Sequence, residues 1–469
     1  MVAAQVVTQP VHAPRPAGEV LADCRDRVAP ALRAAVDTLP PSMRHIAGYH
    51  FGWWDEHGRP VDADPGKALR PALVMLSAAA VGGDPRVTGD DRSGVGDGTA
   101  GGQPTAVVRG AVAVELVHNF SLLHDDVMDG DATRRHRPTA WSVFGTSAAI
   151  LAGDALLALA MDTLVACGHP AATRATGMLG AAVQRLLEGQ SADLDFERRG
   201  DVDVEACLAM AAAKTGALLG SACAIGALLG GGRPAQVLRL AQFGEDLGLA
   251  FQFADDLLGI WGDPATTGKP VHSDLRSRKK SLPVVAALTS GTPAGLELAA
   301  FYNGPTTGPG GGPGTGFGSA SGFGGGPGTG FGSASGPGGG PGSGSGGGAG
   351  AGFGGGEGGG PDAGGGAGSG GAGVDPGASG SASTGNGPST GVGVSTGVGV
   401  STGETGALPE ALVSRAAGLV EAAGARMWSQ GQADQLLGRA LDALAAADAD
   451  PRVEAELDAV ARFATRRDR

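Results

Sequence analysis

Cysteine is scarce, with four in 469 residues, and none is arranged for chemistry. Cys24, Cys167, Cys207 and Cys223 form no CxxC pair and keep no zinc spacing with histidine. That excludes a disulfide framework and a zinc finger, and leaves the buried, reduced thiols expected of a cytoplasmic protein. Positive charge is short too: 34 Lys and Arg stand against 47 Asp and Glu, a formal net charge of -13. No nucleic-acid partner is expected, because phosphate backbones reward basic surfaces. An anionic small ligand remains open if metal ions bridge the two. The N-terminal "MVAAQVVTQPVHAPRPAG" has neither a basic n-region nor a continuous apolar h-region, so no export signal is read there. Alternating runs bounded by turns are also missing, which argues against a sheet. The apolar stretch 206–230 is long enough to span a bilayer, but Lys214 sits inside it and much of it is Ala and Gly. A helix buried in a large core is expected, and no transmembrane segment.

What is present is helical periodicity. Apolar residues recur at helical spacing over 17–38, from about Lys67, over 105–129, and again at 141–167, 171–198, 203–229 and 234–261. Pro71 fits only within the first turn of its helix. Residues 1–15 read as disordered, and "GGDPRVTGDDRSGVGDGTAGGQP" as a polar, Gly-rich loop. From 304 to 405 the chain is mostly Gly, Ser, Pro, Ala and Thr, with "PGTGFGSASG" at 313–322 and again at 327–336. Such a tract buries too little apolar surface to offset its ordering entropy, so a disordered insertion is expected. Helical patterning resumes over 406–469. The reading is all-α: one large helical bundle, 16–303 plus 406–469, interrupted by a Gly-rich surface loop. A partner of unknown kind is the one role such a tract suggests.

The chemistry lies in "HDDVMDGDATRRHRP" (124–138), where four acids run into four bases. Asp125 and Asp129 are four apart and share a helix face, with Asp126 on the flank. Two carboxylates on one face suit a hard cation such as Mg²⁺, which takes a few carboxylates plus waters and phosphate oxygens. A second pair, Asp255 and Asp256, ends another apolar helix and is followed by Lys269, Lys279 and Lys280. Acids to hold metal and bases to hold oxyanions together describe a polyphosphate site.

At this point "LLHDDVMDGDATRRHRP", "QFADDLLGIWGDPATTGKP" with its sequel "SDLRSRKKSLP", and the upstream "GKALRP" resemble the trans-type isoprenyl diphosphate synthases, the polyprenyl synthetase family. The likeness runs in order through about 17–300 and resumes from about 407, omitting the tract. It implies an isoprenoid-synthase bundle, a homodimer, and several Mg²⁺ ions per site. Asp125, Asp126 and Asp129 would bind metal on one wall, Asp255 and Asp256 on the other. The second motif departs from the family pattern by having Gly259 where its last acid belongs. Gly66, Lys67, Arg70, His118 and Arg135 would hold isopentenyl diphosphate, and Arg134 the allylic diphosphate. Lys214 and Thr215 match the family's mid-helix Lys-Thr pair. A diphosphate would supply the anion that a buried Lys214 needs. Gln252 would touch the allylic diphosphate, and Lys269 and Lys279 would neutralise the leaving group.

The implied reaction is head-to-tail prenyl transfer: ionisation of the allylic C–O bond, attack by the isopentenyl double bond, and loss of a proton. Phe120, about 7.5 Å below Asp125 along the helix axis, and the small Ser121 are the expected floor of the hydrocarbon tunnel. In the family that pattern accompanies geranylgeranyl diphosphate (C20), with farnesyl diphosphate or a longer chain as alternatives. A class I terpene cyclase or a non-catalytic partner subunit are the rival readings; a cyclase normally carries an Asn/Ser/Glu metal motif in place of the second aspartate pair.

Overall fold

Thr105 starts the helix that carries the first acid cluster: its side-chain oxygen accepts the Val108 N–H at 3.1 Å, the usual N-cap arrangement. The helix, α4 (Ala106–Met128), runs to Asp129, and Gly130 turns the chain at φ +69°. Nearly every side of α4 is buried, as expected of a helix at the centre of a bundle. Before it come α1 (Ala17–Val36), α2 (Pro41–His50) and α3 (Leu69–Ala80). After it come α5 (Ala140–Phe144), α6 (Thr146–Val165), α7 (Ala172–Arg198), α8 (Val204–Ala211), α9 (Ala217–Leu229) and α10 (Pro234–Trp261). Pro234 opens α10 at a position where its missing N–H is harmless.

The computed structural model describes residues 15–61, 63, 66–83, 104–264, 270–303 and 409–466. Residues 1–14, most of the polar loop after α3, Lys269 and the Gly-rich tract lie outside the described residues. Helices on both sides of the tract build one core. In the helix Ala425–Ala445, Leu436, Leu437 and Ala440 are buried with Leu219, Phe243 and Phe253, and Arg439 pairs with Asp246 of α10. Arg15, at the edge of the expected disordered N-terminus, holds Glu456 through its Nε and Nη2, at 2.8 and 3.0 Å. A smaller cluster joins Ile260 and Leu275 to Leu298, Val413 and Val420.

Three expectations change. The helix read over 141–167 is two helices, broken at Gly145, whose φ of +90° suits only glycine. The helix read over 203–229 contains a widened π turn at Ala212–Gly216, a feature frequent at functional sites. A two-residue antiparallel hairpin pairs Thr133–Arg134 with Arg137–Pro138; it is too short to leave an alternating pattern in the sequence. Three helical stretches, Ala106–Met128, Thr146–Val165 and Val204–Leu229, are long and apolar enough to cross a membrane. The first and third are 72% buried inside the protein itself, so packing accounts for their composition.

Candidate active site

The acids of α4 point in two directions. Asp125 and Asp129 feel Lys214 as their strongest opposing charge, whereas Asp126 faces Arg134. Burial pushes the Asp125 carboxyl up to about 6, with Lys214 opposing and Asp129 adding to the rise. Asp126 is buried, and one of its oxygens accepts from both Nε and Nη2 of Arg134 at 2.7 Å. Its other oxygen is buried with no partner. Arg134, expected to wait for a diphosphate, therefore already neutralises Asp126.

Lys214 stands on the π turn, and its Nζ donates to Asp193 Oδ2 of α7 at 2.7 Å. The close approach depends on Gly189, one turn before Asp193. A Cβ there would stand 2.4 Å from the Lys214 backbone nitrogen. The in-chain partner of this half-buried lysine is thus Asp193, which the sequence reading missed. The available signal was an acid one turn beyond a glycine on a largely polar helix, which is not distinctive. Neighbouring Gln190 is buried with neither amide atom partnered.

The second cluster is held from behind. Thr215 Oγ1 donates to Gln252 Oε1 at 2.7 Å, and Gln252 Nε2 donates to Asp256 Oδ1 at 2.9 Å. The Leu282 N–H donates to Asp256 Oδ2, also at 2.9 Å. Burial, opposed by Lys279, raises the Asp256 carboxyl to about 6. Asp256 is thus engaged by protein donors, while Asp255, one residue earlier, is exposed. Desolvation works against charge on Lys279, but Asp256, Asp274, Asp193 and Asp255 together keep its pKa above the ordinary lysine value. Lys279 also acts on Asp129. Lys214, Asp193 and Lys279 thus link the two acid clusters electrostatically: Lys214 and Lys279 both oppose the rise of the Asp129 carboxyl, and Lys279 answers to Asp256, Asp193 and Asp255.

Among the described residues no three acids, histidines or cysteines stand close enough to cage a metal. Magnesium does not need such a cage, because it keeps waters and phosphate oxygens and takes only one or two carboxylates. The exposed or half-buried Asp125, Asp129 and Asp255, with the orphaned oxygen of Asp126 beside them, fit a cation shared with a bound diphosphate.

A second cradle lies on the other side of α4. Arg70 Nη1 donates to His118 Nε2 at 3.1 Å. That bond leaves the proton on Nδ1 of a neutral ring, and burial, then Arg70 and Arg135, hold the imidazole well below its usual pKa. Burial raises the Glu115 carboxyl, against Arg70; Asn119 donates to it at 3.0 Å. The His50 ring is lowered to about 3, by burial first and then by Arg134 and Arg135. Neither Glu115 nor His50 was singled out from sequence. Arg135 sits at the hairpin tip with φ +48°, followed by His136 at +61°. That turn normally takes Asn-Gly, and each such residue is strained by order 1–3 kcal/mol. The strain places the Arg135 guanidinium against Gly66, where a Cβ would be 2.6 Å from Nη2. Lys67 Nζ lies 5.1 Å above the Phe463 ring. Gly66, Arg70, His118 and Arg135 are thus drawn together from the segment before α3, α3, α4 and the hairpin, while Lys67 stands over Phe463.

Phe120 is buried with its ring edge-on to His124 at 4.8 Å. Ser121 is buried, and its hydroxyl donates to the His118 carbonyl at 2.8 Å.

Comparison with known proteins agrees with this architecture. The polyprenyl synthetase family model matches residues 55–307. A (2E,6E)-farnesyl diphosphate synthase of Mycobacterium tuberculosis is 48% identical over 282 residues, 60% of this chain and 73% of that protein. A geranylgeranyl diphosphate synthase of the same species is also 48% identical, over 285 residues, 61% of this chain and 75% of its own length. The crystal structure of a polyprenyl synthetase from Streptomyces coelicolor superimposes with a TM-score of 0.68 at 37% identity, covering 95% of this chain and 98% of that one.

Proposed function

The chain belongs to the polyprenyl synthetase family and is a trans-prenyltransferase; from that premise we propose that it condenses isopentenyl diphosphate with allylic diphosphates, with geranylgeranyl diphosphate as product. The observation that carries this reading is a pair of ammonium groups beside the acids: Lys214, bonded to Asp193 at 2.7 Å and acting on Asp125 and Asp129, and Lys279, 4.0 Å from Asp256 and acting on Asp129. In this reading Lys67, Arg70 and Arg135 grip the isopentenyl diphosphate, while neutral His118 fixes Arg70 by accepting its N–H. Asp125, Asp129 and Asp255 hold the metal. Bound magnesium offsets the negative charge of the allylic diphosphate and makes it a better leaving group.

As the allylic C–O bond ionises, negative charge grows on the diphosphate oxygens. Lys214 and Lys279, already oriented by Asp193 and Asp256, meet that charge without reorganising. Arg134 keeps Asp126 neutralised while the charge moves. The isopentenyl double bond then attacks the allylic cation, and the proton lost goes to the departing diphosphate. Water would quench the cation, and the buried side chains of α4, α9 and α10 below the acids exclude it.

Purified protein given Mg²⁺, labelled isopentenyl diphosphate and, in turn, dimethylallyl, geranyl and farnesyl diphosphate is expected to elongate each primer to the C20 diphosphate. Cyclised hydrocarbon, or no elongation of any primer, overturns the reading. Two substitutions probe its parts. Gly66→Ala adds a Cβ against Arg135 at a backbone φ of +82°, and is expected to raise the KM for isopentenyl diphosphate by about tenfold with little change for the allylic substrate. Phe120→Ala is expected to shift the product to longer chains by chromatography; an unchanged profile removes Phe120 as the floor.

A further inference from the structure

We propose that Trp54 is a positioning residue for isopentenyl diphosphate: together with Tyr49 it holds Arg137, and so fixes the strained turn that aims Arg135. The inference rests on the prenyl-transfer reading and extends it to a residue just outside the stretch that the family model matches, 55–307. Arg134 pairs with Arg137 across the hairpin, so Arg135 and His136 form its two-residue turn. Both are non-glycine residues at positive φ, +48° and +61°. Such a turn persists only where its surroundings over-determine it. Arg137 supplies that hold. Its Nη1 donates to the Tyr49 carbonyl and its Nη2 to the Trp54 carbonyl, each at 3.1 Å. The guanidinium lies 4.5 Å over the Tyr49 ring, and the Tyr49 hydroxyl donates back to the Pro138 carbonyl at 2.8 Å. Gly52, at φ +76°, lets the guanidinium approach, since a Cβ there would stand 3.3 Å from Nη1.

The loop after α2 can hold a strained turn because Trp54 is itself fixed. Its Nε1 donates to the His45 carbonyl of α2 at 2.8 Å. Its ring takes the space beside Gly48, where no Cβ would fit, and the Arg33 guanidinium of α1 lies 4.5 Å above it. A chain of fixed groups thus runs from α1 through Trp54 and Arg137 to the turn, and the turn sets Arg135 against Gly66. A packing role alone would account for the indole, but not for two carbonyls set within reach of one guanidinium.

A double-variant cycle separates positioning from packing. His136→Gly removes the need for a hold, because glycine takes the second place of this turn without strain. Steady-state kinetics with Mg²⁺ are recorded on the full-length protein for Trp54→Leu, in the original and in the His136→Gly background. In the original background the KM for isopentenyl diphosphate is expected to rise at least about tenfold. The kcat and the allylic KM should stay within about threefold, because Arg134 remains tied to Asp126. In the His136→Gly background the same substitution is expected to raise the isopentenyl KM by less than about threefold. Arg137→Lys, whose ammonium cannot span both carbonyls, is expected to repeat this pattern and carries the test if Trp54→Leu does not fold. An unchanged isopentenyl KM, a rise shared equally by the allylic substrate, or a rise of the same size in both backgrounds overturns the proposal. If the unaltered protein turns over no primer, the prenyl-transfer reading fails and the proposal with it; turnover with an unmoved isopentenyl KM in the variants fails the proposal alone.

Discussion

Asp125→Asn is expected to lower kcat/KM by about a thousandfold or more, roughly 4 kcal/mol of transition-state stabilisation, while stabilising the metal-free protein at neutral pH. Both effects come from one carboxylate. Asp125 is half-buried beside Asp126 and Asp129, and burial raises its pKa from 3.8 to about 6. A raised carboxyl favours the folded state most at low pH, where it is protonated in both states. That contribution is lost as pH rises from about 4 through about 6. At neutral pH the charged Asp125 therefore opposes folding, by about 1–2 kcal/mol once its partial exposure is allowed for. Asp256 adds a slope of the same sign over the same range. Melting temperature against pH without metal should rise toward pH 5 in the unaltered protein and less steeply in Asp125→Asn. Magnesium with pyrophosphate should stabilise the unaltered protein at pH 7.5 and fail to stabilise the variant. Retention of a tenth of the activity by Asp125→Asn would remove this residue from the metal wall.

Gly189→Ala should damage both stability and catalysis without touching a substrate. The added methyl would lie 2.4 Å from the Lys214 nitrogen, 2.8 Å from its Cα and 2.9 Å from its Cβ. Backbone meets backbone there, so no side-chain rotation relieves the clash and α7 must move away from the π turn. Overpacking of this kind costs about 1–3 kcal/mol. Asp193, one turn from Gly189 on α7, would move with the helix and loosen its 2.7 Å bond to Lys214. A displacement near 1 Å at a charge-stabilising group can lower turnover by about a hundredfold. The KM for isopentenyl diphosphate should change little, because Arg70 and His118 sit on α3 and α4. Equal losses in kcat and in isopentenyl affinity would show general misfolding. A variant that melts normally and turns over normally would remove the Asp193–Lys214 pair from the mechanism.

Periodicity and motif spacing went far here because they are local. The 3.6-residue apolar pattern marked α4, α7 and α10 nearly to their ends, since a long buried helix must hide most of its circumference. Two acid pairs near helix ends, each followed by bases, point to a polyphosphate ligand from the sequence alone. Residue 259 also showed in the sequence as an anomaly, a glycine where an acid was due. That Asp274 packs against it could not be read there, because the short helix Ser273–Arg276 folds back across α10.

By itself, then, the sequence determined the all-helical class and the two aspartate pairs near the ends of long helices. Tertiary structure alone decided that Lys214 answers to Asp193, that Arg134 is committed to Asp126, that Asp256 is tied up by Gln252 and Leu282 while Asp255 stays exposed, and that Asp274 fills the space beside Gly259. The physical reason is the same in each case. Which side chains meet across helices depends on how each helix is rotated and how closely it approaches its neighbour, and close packing of the whole core sets both.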